Sequence, residues 1–276
     1  MPELPEVETI RRHLLPIVTN RVIVDVVIRR QDIVGFPSVR EFKYQIKGHR
    51  IAKIGRKGKY LLFSLTQGLL LVIHLRLSGH LRIMDNGNFL KYERLRLILD
   101  DSKAIVFVDP RALGRVYIIR DGKLPEVLAG LKGMGVEPLS YQFTADYLAS
   151  LLKNRKAPIK TLLLNQRICA GVGNIYSDEA LFKAHIEPTR PGGSLSRKEV
   201  ARLLSAIRMV LKAGIRHLGT TMKDGRYLLP NGGIGGYQDR LMVFNREGMP
   251  CLVCGTEIRR IKIGNRSSYY CPRCQK

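Results

Sequence analysis

In VETIRRHLLPIV, apolar side chains fall at Val7, Ile10, Leu14 and Leu15 with charges between them, which is the spacing of one helix face. A short amphipathic helix is predicted there. The texture then changes. The runs RVIVDVVIRR, HRIAKIGRKGKYLLFSL, LLLVIHLRLSG, RLRLILDDSKAIVFVD and GRVYII are β-rich and are separated by turn signals such as DNGN and DDS. Short strands at such intervals favour an antiparallel sandwich or barrel. From Thr144 onward the pattern is helical again: ADYLASLLKN, PIKTLLLNQ, NIYSDEALFKAHI and SRKEVARLLSAIRMVLKAGIRHL carry i, i+3, i+4 apolar spacing. Ser196 with Glu199 makes a capping-box start for the last of these. The glycines and proline of LKGMGVEPLSYQF read as a linker, and GTTMKDGRYLLPNGGIGGYQ, glycine-rich and without period, reads as a mobile loop. The fold class expected is α+β and multidomain. The divisions are a β-sandwich with its N-terminal helix over 1–130, a linker over 131–143, a helical domain with the loop over 144–236, and a small module over 237–276.

The tail CLVCGTEIRRIKIGNRSSYYCPRCQK gives the most specific spacing in the chain. Cys251 and Cys254 form one CxxC pair, Cys271 and Cys274 another, with a hairpin-like stretch between them. Two thiolates from each pair fit one tetrahedral ion, so a structural Zn2+ site is expected; such a site has no open position and holds the tail together without doing catalysis. Disulfides fit a cytoplasmic chain poorly, and a redox pair lacks its βαβ setting. Cys169, within an apolar run, is expected to be a core thiol.

Composition adds the sign of the partner. The 276 residues carry a formal net charge of +24, and both halves of the chain share the excess, so a polyanion is the expected ligand. Charge alone does not separate DNA chemistry from a generally cationic or ribosomal role. No apolar run reaches the roughly 18 residues that span a bilayer, and MPELPEV has no secretory-signal pattern. A soluble, cytoplasmic protein without membrane partners is expected.

MPELPEVETIRRHL, GRKGKYLL, HLRLSG, DPRALGR, AGVGNIYSDEALF and the terminal GNRSSYYCPRCQK together resemble the formamidopyrimidine-DNA glycosylase family, bifunctional enzymes of base-excision repair, over the whole chain. The resemblance implies a β-sandwich, a helix-two-turn-helix domain and a zinc finger around a DNA-binding cleft. The partner implied is double-stranded DNA containing oxidised bases or abasic sites, met by a monomer associated with the nucleoid.

The family likeness also assigns roles by position. A glycosylase/lyase that attacks deoxyribose C1′ needs an amine unprotonated near neutral pH. An α-amino group, with an ordinary pKa of about 7.7–8.0, serves better than a lysine at about 10.4. Pro2 would supply it once Met1 is removed, and Glu3 would be the acid at the sugar ring oxygen. Glu6 reads as a carboxylate holding the N-terminus and Glu8 as a helix-dipole partner. Lys59, in the KYLL register, matches the lysine assisting β-elimination, although Lys57 would share its face on a strand. Arg266 matches the zinc-finger arginine tied to phosphate and to δ-elimination.

Asn174, Lys156 and Lys160 match phosphate contacts, with Arg155 as an addition, while Asn174 could equally be an N-cap. His74 matches a backbone contact, or is a packed strand histidine. The wedge that fills the gap left by an everted nucleotide would be Arg111 with Leu77 and Leu113, where relatives have Met and Phe; leucines fill volume without stacking. Tyr92 stands where a DNA-contacting histidine is expected. The segment 220–238 takes the place of the lesion-capping loop. Two other readings remain. One is the endonuclease VIII branch acting on oxidised pyrimidines, against which Leu4 speaks because that branch usually starts PEGPE. The other is a noncatalytic zinc-ribbon DNA-binding protein.

Overall fold

The structure, a computed structural model, describes residues 1–120, 126–222, 225 and 227–276. Helix α1 (Leu4–Val18) begins at a capping box in which the Glu3 side chain accepts from the Glu6 amide while Glu6 reaches back to the Glu3 N–H. Pro5 lies in the first turn, where its missing N–H costs nothing. The face carrying Val7, Ile10, Leu14 and Val18 is fully buried against the sandwich core.

Among the described residues, eleven strands and six further helices follow. In the first part of the chain lie β1 (Ile23–Ile28), β2 (Val34–Phe36), α2 (Val39–Ile46), β3 (Ile51–Lys57), β4 (Tyr60–Leu65), β5 (Leu69–His74), β6 (His80–Asp85), β7 (Glu93–Leu99), β8 (Lys103–Val108), β9 (Arg115–Arg120) and α3 (Ala129–Lys132). The strands form a four-stranded sheet in the order β1-β7-β8-β6 and a five-stranded sheet in the order β2-β9-β5-β4-β3. Every neighbour pair is antiparallel except β2 with β9. Leu61, Phe63, Leu71 and Ile73 from one sheet and Leu81, Leu95, Leu97, Ile105 and Phe107 from the other fill a shared core. A Phe63→Ala cavity there would cost about 3–5 kcal/mol. Short β2 and α2 escape the apolar pattern because each buries so little: α2 hides only Phe42 and Ile46 and is marked mainly by its Ser38–Glu41 capping box.

The second part holds α4 (Ala145–Leu152), α5 (Ile159–Leu164), α6 (Asn174–Lys183), α7 (Arg197–Arg216), β10 (Arg259–Ile263) and β11 (Arg266–Tyr270). Ser196 and Glu199 close the expected capping box, and α7 buries Val200, Leu203, Leu204, Ile207, Val210 and Leu211. Gly214 lets α7 approach Tyr176 on α6; a Cβ there would lie 2.6 Å from the ring. The tail docks on α6 through Phe182, Val243, Cys251, Ile258 and Cys271.

The chain forms two compact units, residues 1–132 with 217–238 and residues 133–216 with 239–276. The segment 217–238, which the sequence assigns to the helical domain up to residue 236 and to the terminal module beyond it, belongs by its contacts to the sandwich unit: Tyr227 and Leu229 enter that core, and the Ile83 N–H donates to the Pro230 carbonyl at 2.9 Å. Chain proximity to α7 suggests the other grouping, and two scattered apolar anchors have no period to correct it. Lys223, Asp224 and Arg226 of the expected capping loop lie outside the described residues.

Candidate active site

In the sandwich unit Pro2 and Glu3 are buried and Met1 is exposed. The Glu3 N–H donates to Glu6 Oε2 at 2.8 Å, and the Thr220 N–H donates to Glu6 Oε1 at 2.9 Å. Glu6 thus holds the head of α1, as its position suggested. Glu8 does something other than greet the helix dipole. It lies beyond the first turn and binds Arg11, Arg12 and Arg56 at 2.8 to 3.2 Å. Burial pushes its carboxyl up, but the hydrogen bonds of Arg11 and Arg12 and the charges of Arg11 and Arg56 outweigh that and hold it at about 2, against an ordinary 4.5. Arg56 in turn donates to the Gly58 carbonyl at 3.0 Å, which braces the turn carrying Lys59.

Lys59 is not a strand residue. β3 and β4 pair Lys57 with Tyr60, leaving Gly58 and Lys59 as a two-residue hairpin loop. Gly58 has φ 56°, the left-handed value that favours glycine at the first central position. The alternation that would place Lys57 and Lys59 on one face therefore stops between them, and Lys59 is only 6% exposed. His74 is the packed histidine of the two options. It meets the Tyr60 ring edge-on at 4.4 Å, and its Nδ1 accepts from the Arg76 N–H at 3.2 Å. Burial, then the charges of Arg76 and Lys59, lower its pKa from 6.5 to about 3.

The three residues expected to form a wedge lie on two loops, Leu77 half-buried on one, Arg111 and Leu113 exposed on the other. Asp109 ties the loops together: it accepts from the Ser78 hydroxyl, from the Arg111 N–H at 3.2 Å and from the Gly114 N–H at 2.7 Å. Its neighbour in space is Tyr92, whose carbonyl accepts the Asp109 N–H at 3.0 Å and whose exposed ring lies near the cations of Lys91 and Arg94. DPRALGR and HLRLSG stand out as motifs, but the role of Asp109 between them does not emerge from sequence. An aspartate two residues before an arginine is the available signal, and only its complete burial gives it meaning.

In the second unit Gly173 is the N-cap of α6 and Asn174 its first residue, so the N-cap reading of Asn174 is replaced by a cross-link: its Nδ2 donates to the Ser267 carbonyl at 2.9 Å. Lys156 and Arg155 are exposed, the placement that contact with a phosphate would require. Lys160 is a correction. It is 0% exposed, with Nζ 2.6 Å from Asp178 Oδ1 and 2.9 Å from the Asn174 carbonyl, so its charge is spent inside the unit. Asp178 also accepts from Ser268 Oγ and from the Tyr269 N–H, joining α6 to β11. Spacing carries no hint of this, since the partners come from three separate segments.

Arg266 is exposed at the first position of β11, directly after the two-residue turn Gly264–Asn265, where Gly264 again has φ 56°. Behind this hairpin the Sγ atoms of Cys251, Cys254, Cys271 and Cys274 all lie within 4.8 Å of one another, with pairs at 3.4 to 3.9 Å. Four thiolates about 2.3 Å from a tetrahedral Zn2+ stand about 3.8 Å apart, so the donor set and its size fit such an ion.

Three family profiles account for most of the chain: the formamidopyrimidine-DNA glycosylase N-terminal domain over residues 1–116, that family's H2TH domain over 134–225, and the zinc finger found in FPG and IleRS over 248–276. Formamidopyrimidine-DNA glycosylases of Pelotomaculum thermopropionicum and Desulforamulus reducens are 44% and 45% identical over 278 residues, covering 100% of this chain and 99% of each relative. Among solved structures, MutM (Fpg) of Thermus thermophilus superposes with a TM-score of 0.91 at 40% identity, covering 99% of this chain and 98% of that one. Lactococcus lactis Fpg superposes at 30% identity both in a complex with abasic-site DNA (TM-score 0.90, 99% of both chains) and in one with DNA containing an oxidised pyrimidine (TM-score 0.90, 100% of both). Sandwich, helical region and four-thiol hairpin therefore coincide with one class of DNA glycosylase. The chain belongs to the formamidopyrimidine-DNA glycosylase family.

Proposed function

We propose that the protein excises oxidised purines, 8-oxoguanine and formamidopyrimidines, from duplex DNA and then cleaves the strand by β,δ-elimination. The observation that carries the reading is the buried Pro2–Glu3 pair at the head of α1, its backbone held by Glu6. With Met1 removed, the Pro2 nitrogen would attack C1′, the glycosidic bond would break, and the base would leave with its electron pair and take up a proton. Glu3 would give a proton to the ring oxygen as the sugar opens to an iminium. Loss of a C2′ proton, assisted by Lys59, would expel the 3′ phosphate, and Arg266 would serve the second elimination, leaving a one-nucleotide gap. Arg111, Leu77 and Leu113 would occupy the vacated stack, while His74, Tyr92, Lys156 and Asn174 would face or support backbone phosphates.

Of these, Tyr92 and Lys156 have the exposure such contact needs, whereas the buried His74 would act only through its packing on Tyr60. One Zn2+ held by Cys251, Cys254, Cys271 and Cys274 would fix the hairpin and take no part in bond breaking. The protein would work as a monomer on the nucleoid in the cytoplasm. No described helix is long and apolar enough to cross a membrane.

The Lactococcus lactis complex with an oxidised pyrimidine favours a second reading, a substrate range that extends beyond purines. Borohydride reduction of protein mixed with 8-oxoguanine duplex tests the main one. A covalent adduct is expected, lost in Pro2→Gly; no adduct from metal-loaded, Met1-free protein would reduce the chain to a DNA binder. Duplexes carrying oxidised pyrimidines then decide the range.

A further inference from the structure

Glu6 is 2% exposed, and its two oxygens serve two places in the chain: Oε2 takes the N–H of residue 3 and Oε1 the N–H of residue 220. The second place is the neck of the segment 217–238. Thr221 Oγ1 donates to the Tyr227 carbonyl and accepts from the Gly235 N–H. The Thr221 N–H donates to Gln238 Oε1, and the Gln238 amide donates to the Gly235 carbonyl. The Gly219 carbonyl accepts from the Tyr237 N–H, and the His217 carbonyl from the Gly236 N–H. Both ends of the segment are thereby laced together, and Glu6 grips the lacing. The fit at that point is close. Gly219 has φ 80°, and a Cβ there would come within 2.9 Å of Glu6 Cγ and 3.0 Å of Oε1. Tyr227, whose hydroxyl donates to the Leu218 carbonyl, has its pKa raised by burial and by the Glu6 charge.

We infer that Glu6 is a positioning residue that couples the placement of the Pro2 amine to the arrangement of the 217–238 neck. A carboxylate bonded at both oxygens to main-chain donors cannot pivot toward one without dragging the other. A shift of the neck is therefore transmitted to residue 3, one peptide unit from the amine, and nucleophile placement is sensitive at the ångström level. The inference rests on the reading of Pro2 as nucleophile.

Single-turnover borohydride trapping on two duplexes, one with 8-oxoguanine and one with a preformed abasic site, provides the test. The abasic duplex offers no base for the 217–238 segment to touch. Thr220→Pro removes the donor to Oε1 and leaves the Glu3–Glu6 bond. It should slow trapping roughly tenfold to a hundredfold on both duplexes, with less than about a twofold change in Kd for the abasic duplex. Gln238→Ala, which loosens the far side of the neck without touching Glu6, should slow the abasic reaction in the same direction by a smaller factor and serves if Thr220→Pro folds poorly. Abasic trapping at the unmodified rate in a folded variant overturns the coupling. Failure of the unmodified protein to trap either duplex overturns the Pro2 assignment instead.

Discussion

The hairpin between β3 and β4 and the hairpin between β10 and β11 are built alike. In each, two residues join paired antiparallel strands, the first is a glycine at φ 56°, and a basic side chain follows, Lys59 within one turn and Arg266 just past the other. Their support differs. β4 lies inside a five-stranded sheet with Leu61 and Phe63 fully buried, and the turn is braced by Arg56 and by the packing of Tyr60 on His74. The β10–β11 pair is a two-stranded sheet, which is marginal alone; it is held by the four-thiol cluster and by Asp178. One local geometry is thus secured by apolar burial in one unit and by polar and metal-binding groups in the other, and the two should fail under different insults.

Metal removal should have the largest effect. Structural Zn2+ is worth about 10 kcal/mol or more in small modules. Chelation or Cys271→Ser should therefore make the β10 and β11 amides exchange rapidly with deuterium while β3 and β4 stay protected. Equal loss in both hairpins would erase the contrast. Next comes Asp178→Asn, which leaves Lys160 charged and buried without its counterion. Breaking such a pair costs about 3–5 kcal/mol, to be read as a lower urea midpoint for the unit holding β11, with no change in the unit holding β4.

Acid should act on the other hairpin. The His74 pKa in the folded state, about 3, lies below its ordinary 6.5, so the unfolded chain binds the proton first; stability is complete above pH 6.5 and is lost as pH falls toward 3. Between pH 7 and 5 this amounts to about 2 kcal/mol, measurable by urea denaturation and diminished in His74→Gln. Glu8 adds a loss of the same sign only below about 4.5, outside that window. Smallest are Gly58→Ala and Gly264→Ala, each about 1–2 kcal/mol for a left-handed alanine. They sharpen the comparison through activity: Gly58→Ala should lower strand cleavage overall, whereas Gly264→Ala should shift the ratio of β- to δ-elimination ends on a sequencing gel.

What is legible before folding is whatever is local. The β7–β8 hairpin with its DDS turn, the Ser196–Glu199 start of α7 and the two CxxC pairs all announce themselves within a few residues, whereas the Gly58–Lys59 turn between β3 and β4 hides inside what reads as one continuous strand. What stays hidden depends on partners distant in the chain. Lys160 resembles a surface cation because Asp178 and Ser268 are not its sequence neighbours. The grip of Glu6 on Thr220 spans most of the chain and leaves no spacing rule to detect. Glu8 misleads for the same reason, since Arg56, which turns it from a dipole partner into a brace, arrives from β3.

Asp109 fastens the loop carrying Leu77 to the loop carrying Arg111 and Leu113 through Ser78, the Arg111 amide and the Gly114 amide. None of those bonds involves the side chains of Leu77, Arg111 or Leu113. If these three side chains form the wedge proposed above, exchange at them should retune which base is tolerated across from the damage while the mounting stays put, so a small combinatorial library here would sample selectivity without reopening the problem of stability.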